Sequence, residues 1–179
     1  MQKRIIVGTF LCLFSSYLSA QTIYQTKSAK VKFFSATTVE NIEAVNNQVN
    51  AKLSTNGQMV FILAIRGFVF KNALMQEHFN ENYMESDKFP KASFFGNITN
   101  INTVNFSKDG SYPVSVNGDM EIHGVKQKVN ATGTIDIKNG KIAAKSIFKV
   151  TITNFGIKGS YIGDKIAKEI EITVQSTYE

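Results

Sequence analysis

Two histidines, His78 and His123, are the chain's only imidazoles, so the choice of side chains for acid–base chemistry near neutral pH is narrow. Asp119 and Glu121 share a strand face with His123, an order that superficially resembles a proton relay. Acyl transfer would also need an activated nucleophile on a strained turn, and no Gly-x-Ser-x-Gly occurs. Asp119 therefore reads as an exposed strand residue and His123, followed by Gly124, as a turn residue. His78 with Glu81 or Asn82 has the spacing to touch one metal ion, yet no further ligands of recognised spacing lie nearby. It reads as a surface or packing histidine. No catalytic residue, metal site or cofactor is expected.

The one cysteine, Cys12, falls in a segment with the features of a secretory signal. Lys3 and Arg4 precede an uncharged, mostly apolar run from Ile5 to Leu18, and Ser19 and Ala20 close it before Gln21. The run is too short to span a bilayer comfortably. Residues 1–20 are thus expected to be a cleaved signal peptide, with residues 21–179 forming one cysteine-free domain in the periplasm or outside the cell. The formal charge of +6 falls to +4 without Lys3 and Arg4, with 18 basic against 14 acidic side chains left. The lysines are scattered, with no basic stripe interleaved with aromatics, so a nucleic-acid partner is not expected. Transient contact with an anionic membrane surface fits the modest positive charge.

The elements that would position these residues are strands. Val114, Val116, Gly118, Met120 and Ile122 alternate with Ser115, Asn117, Asp119 and Glu121. Val129, Ala131, Gly133, Ile135 and Ile137 repeat the period, as do Ile170, Ile172 and Val174. Period two puts one face in an apolar core and one in water. Turn pairs fall at the reversals, at Asn56-Gly57, Asp109-Gly110, His123-Gly124 and Asn139-Gly140. Strands are expected near 23–35, 42–54, 58–70, 92–106, 112–122, 126–138, 141–153 and 167–177.

Between the third and fourth, residues 72–87 carry Met75, Phe79 and Tyr83 at four-residue spacing, predicting an amphipathic helix of about four turns. Its aromatic stripe reads first as a packing face and second as a pocket lid.

Eight sequential antiparallel strands remove their edges best by closing. The expected fold is all-β, an eight-stranded antiparallel lipocalin-like barrel with one amphipathic helix between strands 3 and 4. At eight strands the interior is either filled or holds one small ligand. Parity places Phe33, Phe61, Leu63, Ile65, Phe94, Val116, Met120, Ile122, Phe148, Val150 and Ile152 inside as candidate ligand-binding residues. Gly118, Ala131, Gly133, Ala144 and Ser146 face them and leave room, which favours a cavity over a filled core. Such a cavity offers almost no polar handle, so its guest would be apolar and chain-like. An outer-membrane barrel shares the period with its apolar face outward. The interrupting helix, the short connections and the lack of aromatic girdles weigh against it.

The stretch Tyr112-Pro-Val-Ser-Val-Asn-Gly-Asp-Met-Glu-Ile-His-Gly-Val-Lys-Gln-Lys-Val129 resembles the central motif of the YceI-like, polyisoprenoid-binding family. Phe79 to Phe95 resembles that family's helix-to-strand junction, and Phe148 to Ile157, with its Phe155-Gly156-Ile157 end, its late strand. The family often opens with a tryptophan and a histidine-bearing first strand, where this chain has Tyr24 to Ser28 and Ser35 to Glu40. The resemblance implies a periplasmic lipocalin-like barrel that binds isoprenoid quinone-like or polyprenyl lipids in an internal tunnel. The expected function is that of an exported, non-enzymatic carrier of an isoprenoid or other long-chain lipid. A filled-core interaction or stress-protective module and a lipid-modifying enzyme remain as alternatives.

Overall fold

In the computed structural model, which describes residues 21–178, alternating side chains become long antiparallel strands. The expected signal segment and Cys12 lie outside the described residues. The strands are β1 (Ile23–Ala36), β2 (Asn41–Ser54), β3 (Gln58–Ala64), β4 (Val69–Phe70), β5 (Lys91–Ile98), β6 (Gly110–Ile122), β7 (Val125–Lys138), β8 (Lys141–Thr151) and β9 (Glu169–Tyr178). The order runs β1-β9-β8-β7-β6-β5-β3-β2, and β2 pairs back onto β1, from Ile23 opposite Ser54 to Ala36 opposite Asn41. That last ladder closes an eight-stranded antiparallel barrel. The two-residue β4 adds to β2 opposite Ala44 and Val45.

Two hairpins turn in two residues because their tips take left-handed backbone. His123 and Gly124 have φ of 52° and 72°, and Asn139 and Gly140 have 51° and 74°. These are the positive angles that a type I′ turn requires at both central positions.

Three boundaries depart from the sequence reading, each for a visible cause. The expected third strand, 58–70, breaks at Ile65–Gly67 into a 3-10 turn and resumes as β4. The fully buried Asn46 donates its side-chain amide to the Ala64 carbonyl at 2.9 Å and accepts from the Gln48 N–H at 2.9 Å. It thereby stands in for backbone partners at the break.

The fourth strand stops at Ile98 rather than 106. Beyond it, Asn100 donates to the Pro113 carbonyl (3.0 Å) and accepts from the Ser115 N–H (2.9 Å), so a side chain replaces strand backbone beside a proline. The helix is shorter than four turns. Asn72 caps a six-residue α1 (Ala73–His78), and a π-helical turn, Phe79–Tyr83, follows. Asn80 donates its side-chain amide to the Gln76 carbonyl, and the Met84 N–H reaches back five residues to Phe79.

Inward side chains differ sharply between the two ends. At the end carrying the 138/141 and 54/58 turns, Leu53, Ile135, Ile137, Ile142, Ala29 and Ala51 are 0–3 % exposed and plug the barrel. Toward the other end, where α1 and the β8–β9 connection lie, equally apolar inward residues such as Val116, Met120 and Phe148 are only half-buried. One end is filled and the other is hollow.

Candidate functional site: a cavity closed at one end

The hollow end is a cavity of about 530 Å³, within the usual range for small-molecule sites. Its wall draws on every long strand; β2 gives least, with Ile42 alone, and the preceding turn adds Glu40. All eleven residues assigned to the interior by parity lie on this wall: Phe33, Phe61, Leu63, Ile65, Phe94, Val116, Met120, Ile122, Phe148, Val150 and Ile152. Outward positions on the same strands carry charge, for example the cross-strand ion pair of Asp119 and Lys128 at 2.9 Å. The apolar parity therefore faces the interior, the reverse of a lipid-facing barrel.

The small inward residues do not all make space. Ala131 and Ser146 border the cavity. Gly118 sits directly across from Gly96, and a Cβ added at Gly118 would lie 2.6 Å from the Phe94 ring and 2.5 Å from the Phe95 carbonyl oxygen. Phe94 thus occupies the room that Gly118 leaves. A Cβ at Gly133 would likewise press the Lys145 carbonyl oxygen at 2.5 Å, so that glycine serves close strand approach.

Parity could not find the other half of the wall. Phe68 and Phe70 come from the broken third strand, and Leu74, Met75, Phe79, Tyr83 and Met84 from the helical segment and its end. The expected aromatic stripe of Met75, Phe79 and Tyr83 does face the cavity, so packing face and lid are one surface. Phe79 stacks on Phe33 with centroids 5.4 Å apart and meets Phe70 at 5.0 Å and Phe68 at 5.7 Å.

After a 3-10 turn at Ile152–Phe155, the rest of the β8–β9 connection, residues 156–168, forms a strap across the mouth and adds Ile157, Tyr161, Lys165 and Ile166. It is tied to β1 where the Ala167 N–H donates to the buried Ser35 hydroxyl at 2.9 Å. Gly159 crosses over the Tyr83 ring where a Cβ would not fit. Burial, and the Tyr161 phenol beside it, push Tyr83 above the ordinary tyrosine pKa, so Tyr83 is a neutral hydroxyl at neutral pH.

Several polar groups of the lining are already bonded within the protein. The Ser146 hydroxyl donates to the Thr132 carbonyl (2.7 Å), and the Ser35 hydroxyl holds the strap. The Asn72 oxygen accepts from the Leu74 and Met75 N–H groups. Glu40, His78, Tyr83, Tyr161 and Lys165 also border the cavity, on the turn, helical segment and strap that frame its mouth.

His123 lies outside this lining. Its Nε2 meets Glu85 Oε2 at 2.7 Å, and its ring packs on Phe89 at 4.4 Å between centroids. Asp119 is engaged with Lys128, so no relay forms on that strand. Among the described residues, no three His, Cys, Asp or Glu side chains converge as a metal site.

The profile of the YceI-like domain matches residues 22–178, nearly the whole described chain. The chain belongs to the YceI-like family. No curated protein matches this YceI-like chain in sequence.

Solved structures do match it in fold. A polyisoprenoid-binding domain from Saccharophagus degradans superimposes with a TM-score of 0.76 at 10% identity, covering 88% of this chain and 97% of that one. BcnA of Burkholderia cenocepacia gives 0.71 at 14% identity over 84% and 96%. A Campylobacter jejuni YCEI protein gives 0.57 at 12% identity over 100% and 99%. At these identities the likeness is one of fold: a closed eight-stranded barrel.

Proposed function

We propose that this YceI-like barrel is an exported carrier or scavenger that buries the hydrocarbon tail of one lipid-like molecule, of isoprenoid or similar chain chemistry, without chemically altering it. The observation that carries this reading is the one-ended cavity of about 530 Å³, walled mainly by aliphatic and aromatic side chains, with the Ser35 and Ser146 hydroxyls in its wall already bonded to the protein. Such a wall rewards only apolar surface. Each buried methylene contributes about 0.8 kcal/mol, so roughly ten give about 8 kcal/mol gross. That exceeds an association cost of several kcal/mol. The S. degradans polyisoprenoid-binding domain, which shares this fold, supports the same ligand class here. The residues proposed to hold the chain are the eleven assigned by parity, nine on strands and Ile65 and Ile152 on 3-10 turns, together with Phe79 and Met75 from above.

The reading is tested by stripping the protein of lipid and titrating it with a fluorescent long-chain polyene. Emission should rise to saturation at one chain per barrel. Ala131→Phe with Ser146→Phe, which fill the cavity from β7 and β8, should lower the affinity at least tenfold while the far-UV spectrum stays that of a barrel. Unsaturable emission, or saturation unchanged by the double variant, would contradict it.

A further inference from the structure

We propose that the strap, residues 156–168, is a docking surface for an anionic lipid bilayer, holding the cavity mouth against the membrane. This rests on the lipid-carrier reading and adds where and how the lipid passes.

The strap joins three features that a bilayer interface selects. It presents an aromatic tip, since Tyr161 is 49 % exposed although its ring also borders the cavity. Aromatic side chains with a polar end favour the headgroup level. It is basic as well: Lys158, Lys165 and Lys168 are exposed and outnumber its one acid, Asp164. Lys165 Nζ lies 5.0 Å from the Tyr161 ring centroid, so charge and aromatic tip sit together.

The strap is also continuous with the mouth. Two further exposed large apolar residues, Val39 of the β1–β2 turn (59 %) and Leu74 of α1 (57 %), stand at this same end of the barrel. Leu74 and Val39's neighbour Glu40 border the cavity too.

Charge distribution chooses the strap over the rest of the rim. The helical segment carries Glu77, Glu81, Glu85 and Asp87 against Lys71 and Lys88, the β1–β2 turn carries Glu40, and the β6–β7 hairpin balances Asp119 and Glu121 with Lys126 and Lys128. The rim is therefore polarised, with its positive side on the strap. Contact made strap-first lets lysines meet anionic headgroups while Tyr161 enters the interface. A chain passing directly from bilayer to cavity keeps its methylenes out of water throughout, which removes the main barrier to exchange.

The test uses lipid-stripped full-length mature protein and co-sedimentation with phosphatidylglycerol–phosphatidylcholine vesicles, beside pure phosphatidylcholine vesicles. Binding should favour the anionic vesicles and fall away at high salt. Lys158→Gln with Lys168→Gln should weaken it roughly twenty-five-fold, since each lysine near such a surface is worth about fivefold. Lys138→Gln with Lys141→Gln, the same charge change at the plugged end, should leave it within about twofold.

Equal loss from both pairs would overturn the proposal, as would absence of vesicle binding or equal binding to uncharged vesicles. Polyene uptake from solution by the same samples separates the two readings. Uptake without vesicle binding removes the docking surface alone, and strap-dependent vesicle binding without uptake removes the cavity reading and leaves the surface.

Discussion

His123, at the tip of the β6–β7 hairpin, and Glu85, just past the π-helical turn, meet at 2.7 Å between Nε2 and Oε2. Both hold left-handed backbone, with φ of 52° and 41°. The pair ties the barrel rim to the segment that carries Met75, Phe79 and Tyr83 over the cavity. Replacing His123 with alanine should loosen that lid while sparing the sheet. Because Glu85 is nearly half exposed, the expected cost is small, about 0.5–1 kcal/mol, or a Tm lower by roughly 1–4 °C. Hydrogen exchange should rise across residues 73–89 and stay unchanged in β7 and β8; a uniform rise would disprove the anchoring role.

Gly118 is fixed by what surrounds it rather than by its own backbone angles. A methyl there would strike the Phe95 carbonyl oxygen and the Phe94 ring. Gly118→Ala is expected to cost about 1–3 kcal/mol through overpacking. Phe94→Ala in the same background should restore part of that loss. Urea unfolding of the single and double variants measures the coupling, and strictly additive costs would refute the contact.

Tyr178 closes the plugged end with its hydroxyl buried and unpartnered. Burial pushes its pKa up to about 12. The Ser176 hydroxyl beside it pulls weakly the other way, but its geometry falls short of a hydrogen bond. The folded state thus holds the phenol proton more tightly than the unfolded chain, whose tyrosines titrate near 10. Stability from this group is complete below pH 10 and is lost as pH climbs from 10 through 12, by about 2–3 kcal/mol. Tyr178→Phe should be neutral or slightly stabilising at pH 7, since it removes an unpaired buried hydroxyl. It should also flatten the alkaline fall. An unchanged fall in denaturation curves from pH 9 to 12 would assign that loss elsewhere.

A cavity that rewards only apolar surface should grade its ligands by chain length. Within a series of single-chain amphiphiles sharing one head group, each added methylene should strengthen binding about fourfold until the chain fills the interior, then cease to matter. Isothermal titration across the series reads this directly. Affinity that follows the head group and ignores chain length would contradict the apolar wall.

Strand parity was enough to place Val116, Met120, Phe148 and their eight companions on the cavity wall, because period two on a closed sheet leaves only inside and outside. It carries no information about depth. Ile135 and Val116 share one face pattern, yet Ile135 is sealed in the plug and Val116 borders the cavity. Nor could it reach the lid and the strap. Phe68, Tyr161 and Ile166 lie on a 3-10 turn's edge and in a glycine-rich connection, where position follows from tertiary anchors such as Asn46 and Ser35. Gly118 misled in a further way, since an inward glycine reads as empty space and Phe94 fills it. The helix came out too long because a four-residue apolar spacing continues across the π-helical turn after the α-helix has ended.

Native mass spectrometry of the protein purified from its own host tests the central claim most directly. The carrier reading predicts a mature chain bearing one additional mass, released by organic solvent as a single long-chain apolar lipid and absent from the Ala131→Phe, Ser146→Phe variant. A bare protein mass with nothing extractable would contradict it.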